Sequence, residues 1–394
     1  MSVPDRVRPG AVGLLALGSL GYAVMTLSWF SLPAYLPTIT ADLGLTETQA
    51  GALAGAVPLT YVPVALVSGL LVDRLGHRRT LGGGLVFIGF AHLGRSYAEG
   101  FLPMLALTVL LGVGGTGVTF GLPKLVAGLF PSSRVGVAST VYLLGSYAGT
   151  AAAFSLARPV VGPMLGGWRP LFRLTGLAVL GVALLWALAA VMLARGESAT
   201  GGTDSPVAAL REVFASQPMR LLVVVGFVYL LVAHGLQGML PTVLDARGVT
   251  PAAAARITTL LVVAQVVGVL AIPAASDAVG HRRAALVGSV ALCTLGVATL
   301  TAGVATLLPV LLVGLGLGGI SPLIRALPAE IEGIGAERTG VAVGMVFAVG
   351  EIGGFLGPFA IGALGDLTGS FTPGLALLGV GTLAALAAGA ALDV

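Results

Sequence analysis

Few side chains in this sequence can do chemistry, and several of them lie where a charge is costly. Lys124, the single lysine of the chain, sits in GVTFGLPKLVAGLF (117–130). Arg325 closes a second apolar run, and Glu351 sits in VFAVGEIGGFLGP (346–358), thirteen residues beyond Arg338. His234 and His92 are further titratable groups in apolar stretches. A charge at the centre of a bilayer costs at least about 2.5 kcal/mol on insertion scales, which makes each of these a candidate functional group. A bidentate guanidinium with a mobile ammonium suits a carboxylate or small oxyanion. A carboxyl balanced between apolar surroundings and a nearby cation can take up and release a proton. Structural readings stand beside these. Lys124 lies six residues before Phe130, about 9 Å of helix, and can snorkel to headgroups. Arg325 can pair with Glu330 or Glu332, and Glu351 can be a neutral acid that packs helices.

These residues must be held by elements that suit lipid. Of 394 residues, 57% are hydrophobic and 9% charged, with a mean hydropathy of +1.03; soluble domains carry about 25% charged residues. The chain reads as an all-α integral membrane protein. A spanning helix needs about 20 apolar residues, and the runs lack the alternation of barrel strands. Twelve such spans are expected, near 11–37, 48–72, 80–98, 102–130, 136–160, 171–193, 220–244, 252–276, 284–303, 305–329, 339–365 and 372–392. The 60 glycines then serve close helix packing in lipid. The apolar stretch after the basic start is too long for a signal peptide, so it reads as an uncleaved first span. Cys293 is the lone cysteine, which excludes an intramolecular disulfide.

The chain repeats itself. DRLGHRR (73–79) returns as DAVGHRR (277–283), LPTITADLGLT (36–46) as LPTVLDARGVT (240–250), and RVGVA (134–138) as RTGVA (338–342), each at an offset of 204. Two six-helix bundles are expected, 1–193 and 220–394. A polar linker (194–219) joins them, and Ser205-Pro206 marks the start of a short amphipathic helix within it. With both termini inside, twelve arginines fall in cytoplasmic segments and six, Arg95 and Arg158 among them, in external ones. That asymmetry places both termini in the cytoplasm. Lys124 and Arg325 become near mates: position 124 maps to 328 at the global offset, and GVGGTGV (112–118) over GLGLGGI (314–320) gives 326. His234 maps to Phe30, Gln265 to Tyr61 and Glu351 to Tyr147.

GLLVDRLGHRR (69–79) resembles the signature loop of the major facilitator superfamily, through Gly69, Asp73, Arg74, Gly76, Arg78 and Arg79. The partial second copy keeps Asp277, Gly280, Arg282 and Arg283. The resemblance implies secondary transport by alternating access, with these loop residues bracing cytoplasmic helix ends as a conformational gate. It also implies a central cavity lined by the first, fourth, seventh and tenth spans. The expected substrate is a small organic anion, carboxylate-like, held between Lys124 and Arg325. His234, Gln237, Tyr61, Gln265, Phe30 and Tyr22 complete the lining, and Glu351 couples transport to protons. Exchange without protons, proton-driven export of a lipophilic compound, and a receptor or scaffold on the same fold are the alternatives. GPMLGG (162–167) falls at the outer end of its span, unlike the corresponding motif of the family's drug antiporters. The second span lacks an interior arginine, which argues against a nitrate porter. Enzyme activity, a cofactor and a metal are not expected, since no phosphate-binding loop, metal cluster or nucleophile constellation occurs. The expected setting is a monomer in the inner cell membrane, multi-pass, with the bilayer and a small anion as partners. Nucleic acid has no place, since the net charge of +4 reflects topology.

Overall fold

The computed structural model of the chain describes residues 7, 10–192, 206–332 and 334–393. The side chains of 64–74, and with them those of Asp73 and Arg74 and the surroundings of Gly69, lie outside the described residues. Everything regular among the described residues is helical. The first half holds α1 (Ala11–Leu43), α2 (Glu47–Leu75), α3 (His77–Arg95), α4 (Phe101–Leu129), α5 (Ser132–Ala152) and α6 (Trp168–Met192). The second holds α8 (Gln217–Ala246), α9 (Pro251–Val279), α10 (Arg282–Ala302), α11 (Leu307–Ala326), α12 (Gly335–Thr368) and α13 (Thr372–Ala390). The twelve fall on the expected spans. Nine described helices are long and apolar enough to cross a membrane. Between the halves lies α7 (Pro206–Ala215), which begins at the predicted proline.

Two compact units emerge, one of residues 1–44 and 63–202, the other of 45–62 and 203–394. Their boundary differs from the repeat boundary, because the first half of α2 packs with the second unit. Within the first unit α1 packs on α5 and α6, and α3 on α4 and α6. Within the second, α8 packs on α12 and α13, and α10 on α11 and α13. The pairing is the same, position for position, as a duplicated bundle requires. The turns after α2 and after α9 both use a glycine at positive φ, Gly76 at 83° and Gly280 at 74°, which favours glycine.

Glycine also sets how close the helices come. A Cβ on Gly84 of α3 would lie 2.4 Å from the Gly114 carbonyl oxygen of α4, and one on Gly268 of α9 would lie 2.4 Å from that of Leu315 in α11. Such contacts supply the van der Waals packing that lipid cannot provide through hydrophobicity. α5 departs from regular geometry, continuing as a π-helix over Ala153–Val161 around Pro159. Tyr35 of α1 donates to the Ala157 and Arg158 carbonyls there, at 3.3 Å each, meeting acceptors that the widened turn leaves over. Arg158 lies 4.3 Å over the Tyr35 ring.

Candidate functional site

The candidate residues in the second unit converge on α8, α11 and α12. Two i, i+4 pairs build the cluster, since residues four apart share a helix face. On α11, Ser321 lies one turn before Arg325, whose Nη1 donates to both the Ser321 carbonyl oxygen and its Oγ at 2.6 Å. On α12, Phe347 lies one turn before Glu351, and the Arg325 guanidinium sits 4.2 Å over the Phe347 ring. The arginine is exposed. Glu351 Oε2 lies 3.7 Å from His234 Nε2 on α8, with side-chain exposures of only 12% and 13%. That carboxylate oxygen has no hydrogen-bond partner. Gly354, one turn on, keeps the space open: a Cβ there would lie 2.8 Å from His234 Cδ2 and 3.0 Å from Glu351 Oε2.

The expectation that Arg325 can be tied up by Glu330 does not hold. Glu330 is bonded to Arg282, which also grips Asp277 Oδ1 at 2.9 Å. Arg283 donates to the Ala390 carbonyl at the end of α13, where a cation opposes the helix macrodipole. The second loop copy thus ties four helix ends, those of α9, α10, α11 and α13, together inside one unit. In the first copy, Arg78 offers its carbonyl to Trp186 Nε1 of α6 at 2.9 Å.

The remaining candidates fall in two groups. Gln237, one turn beyond His234, donates through Nε2 to Gln265 Oε1 at 2.8 Å, and both are buried in the second unit. Tyr61 is buried there as well. In the first unit Lys124 is half-buried on α4. Phe30 is buried against Trp29 and Phe154, with ring centroids 5.1 and 6.1 Å away, and Tyr22 stacks on Tyr142 at 6.1 Å.

Two features escaped the sequence reading. Arg95, expected at the external surface, is fully buried at the end of α3. Its Nε donates to Thr108 Oγ1 and its Nη1 to the Ser28 carbonyl, each at 3.1 Å, with His92 Nδ1 at 3.4 Å and Phe172 beneath. His92 Nε2 lies 2.8 Å from Thr175 Oγ1. Three neighbouring helices close over the side chain, so a count of residues along one helix could not show its burial. The second feature is a cap. Asp366 of α12 accepts the Glu47 and Thr48 backbone N–H groups at 3.0 and 2.7 Å, and the Thr48 hydroxyl as well. It thereby satisfies donors that open the first turn of α2.

Comparison with known proteins agrees with this architecture. The chain is 27% identical over 354 residues to the uncharacterized transporter YycB of Bacillus subtilis, covering 87% of this chain and 84% of YycB. It is 27% identical over 362 residues to the 3-(3-hydroxy-phenyl)propionate transporter of Escherichia coli, covering 89% and 84%. Among solved structures, that of the nucleoside transporter NupG matches with a TM-score of 0.77 at 12% identity, covering 98% of this chain and 100% of that one. The family model of the Major Facilitator Superfamily matches residues 18–358. With twelve long helices among the described residues, a duplicated bundle and that match across most of its length, the chain belongs to the Major Facilitator Superfamily and is a multi-pass membrane transporter rather than an enzyme.

Proposed function

We propose that this transporter moves a small carboxylate by alternating access, with Arg325 as the principal ligand and Glu351 as the proton carrier. The observation that carries the reading is the second-unit cluster. An exposed guanidinium, unpaired with any described acid, stands over Phe347, one turn from a carboxyl that is itself nearly buried beside His234. An anion on Arg325 weakens the hold of that cation on Glu351 and favours its protonation, so substrate and proton load together. His234 is the neighbour best placed to share the proton. Gln237 and Gln265 supply neutral polar groups on the same unit. Lys124 is the proposed second cation, on the strength of its near-equivalence to Arg325 in the repeat. The relative that carries hydroxyphenylpropionate supports an organic acid as cargo.

The test is uptake into proteoliposomes of radiolabelled tartrate, benzoate and hydrocinnamate, with and without an inward proton gradient. At least one of these should accumulate with the gradient. Arg325→Ala should abolish that uptake and Lys124→Ala should reduce it by about tenfold, the worth of one charged hydrogen bond. Full uptake in Arg325→Ala, or transport of neutral lipophiles alone, removes the carboxylate reading.

A further inference from the structure

Arg325 is exposed yet held in one pose. A guanidinium has five N–H donors. Both Nη1 hydrogens have acceptors, the Ser321 carbonyl oxygen and Oγ, at 2.6 Å. One face of the plane is covered by Phe347 at 4.2 Å. Of the three N–H groups that remain, Nε–H and one of Nη2 form an edge of two parallel donors whose spacing matches the two oxygens of a carboxylate.

Resting on the reading of Arg325 as substrate ligand, we propose that Ser321 and Phe347 are positioning residues. They present the Nε–Nη2 edge of Arg325 and thereby make the site select planar, two-oxygen anions over tetrahedral ones. Their chemistry divides the work. Ser321 occupies the far end of the guanidinium, so the wrong edge is not offered. Phe347 fixes the plane by cation–π stacking without competing for a donor, as a carboxylate neighbour would. It also ties the pose to α12, one turn from Glu351, so a shift of α12 against α11 turns the fork as it moves the acid. A lysine at 325 could supply charge but no fork.

The experiment uses the full chain in proteoliposomes with tartrate and hydrocinnamate, and phenylethanesulfonate as the tetrahedral competitor. Ser321→Ala and Phe347→Leu should each raise KM for the transported carboxylate about tenfold, with maximal rate retained. The preference for carboxylate over sulfonate should shrink in parallel. Ser321→Thr and Phe347→Tyr, which keep the acceptor and the ring, should restore both quantities. Arg325→Lys should leave a site that no longer discriminates. Wild-type KM and selectivity in Ser321→Ala and Phe347→Leu, with transport lost in Arg325→Gln, would overturn the positioning role and leave Arg325 as ligand. A fall in maximal rate without a change in KM or selectivity would overturn it equally. Unaltered transport in Arg325→Gln, or no carboxylate transport by the wild type, would remove the ligand assignment and this inference with it.

Discussion

At the scale of single residues, coupling and binding should separate. Glu351 carries the proposed proton, whereas Arg325 carries the proposed anion. A glutamine at 351 keeps the shape and polarity of the protonated acid but cannot release a proton. Glu351→Gln should therefore lose accumulation driven by a pH gradient while retaining exchange of internal for external substrate. Counterflow measured beside gradient-driven uptake checks this, and loss of both together would reject Glu351 as a coupling group. Depth in the membrane was enough to single out Arg325, Glu351 and His234 from sequence, because apolar runs make any charge conspicuous. The residues that orient them were harder to see. Ser321 and Phe347 are ordinary in composition, and only the folded chain brings them against Arg325. Arg95 is hard to place for the opposite reason: its closeness to a helix end reads as exposure, while the helices that bury it come from elsewhere in the chain.

At the scale of elements, the first half of α2 and the end of α12 form a glycine-packed, capped contact. A Cβ on Gly51 would lie 2.3 Å from the Pro358 carbonyl oxygen, and one on Gly362 would lie 2.0 Å from that of Glu47. Backbone cannot yield as a side-chain tip can. Gly51→Val should destabilise the protein by about 1–3 kcal/mol, the range for overpacking, seen as a lowered thermal midpoint in detergent. Asp366→Ala removes the cap that α12 lends to α2 and should cost about 1 kcal/mol. The same corner responds to pH. Burial, then the nearby Asp366 and Asp245 carboxylates, raise Glu47 above the ordinary glutamate range. A raised acid binds its proton more tightly in the folded state. Its contribution to stability is thus complete below the ordinary glutamate value and lost as pH rises through the raised one. Glu47→Gln should flatten that fall in a thermal midpoint measured across the window. An unchanged slope would show that Glu47 does not set it. The repeat made α2 legible as a span. Nothing along α2 itself showed that its first half packs with residues about three hundred positions away.

At the scale of the whole molecule, the units do not divide where the sequence repeat divides. Residues 45–62 come from the first repeat yet belong to the compact second unit. Gly55 of that segment lies against Phe355, and its Pro58 against Gly354, beside the Arg325–Glu351–His234 cluster. The second unit therefore lacks part of its own wall when residues 203–394 are made alone. The linker should be dispensable as a covalent tie, because α7 packs on α8 and α12 of its own unit. Cutting the chain between 193 and 205 and co-expressing the two pieces should retain transport. The second piece by itself should melt at a lower temperature than the co-expressed pair, since the α12 carbonyls that face Gly51 and Gly55 would meet lipid or water instead of helix. Adding residues 45–62 back in trans, as a peptide in the same membrane, should recover part of the difference. Equal melting of the lone piece and the pair would mean that the α2 segment lends the second unit no stability, and that the repeat boundary is also the boundary of folding.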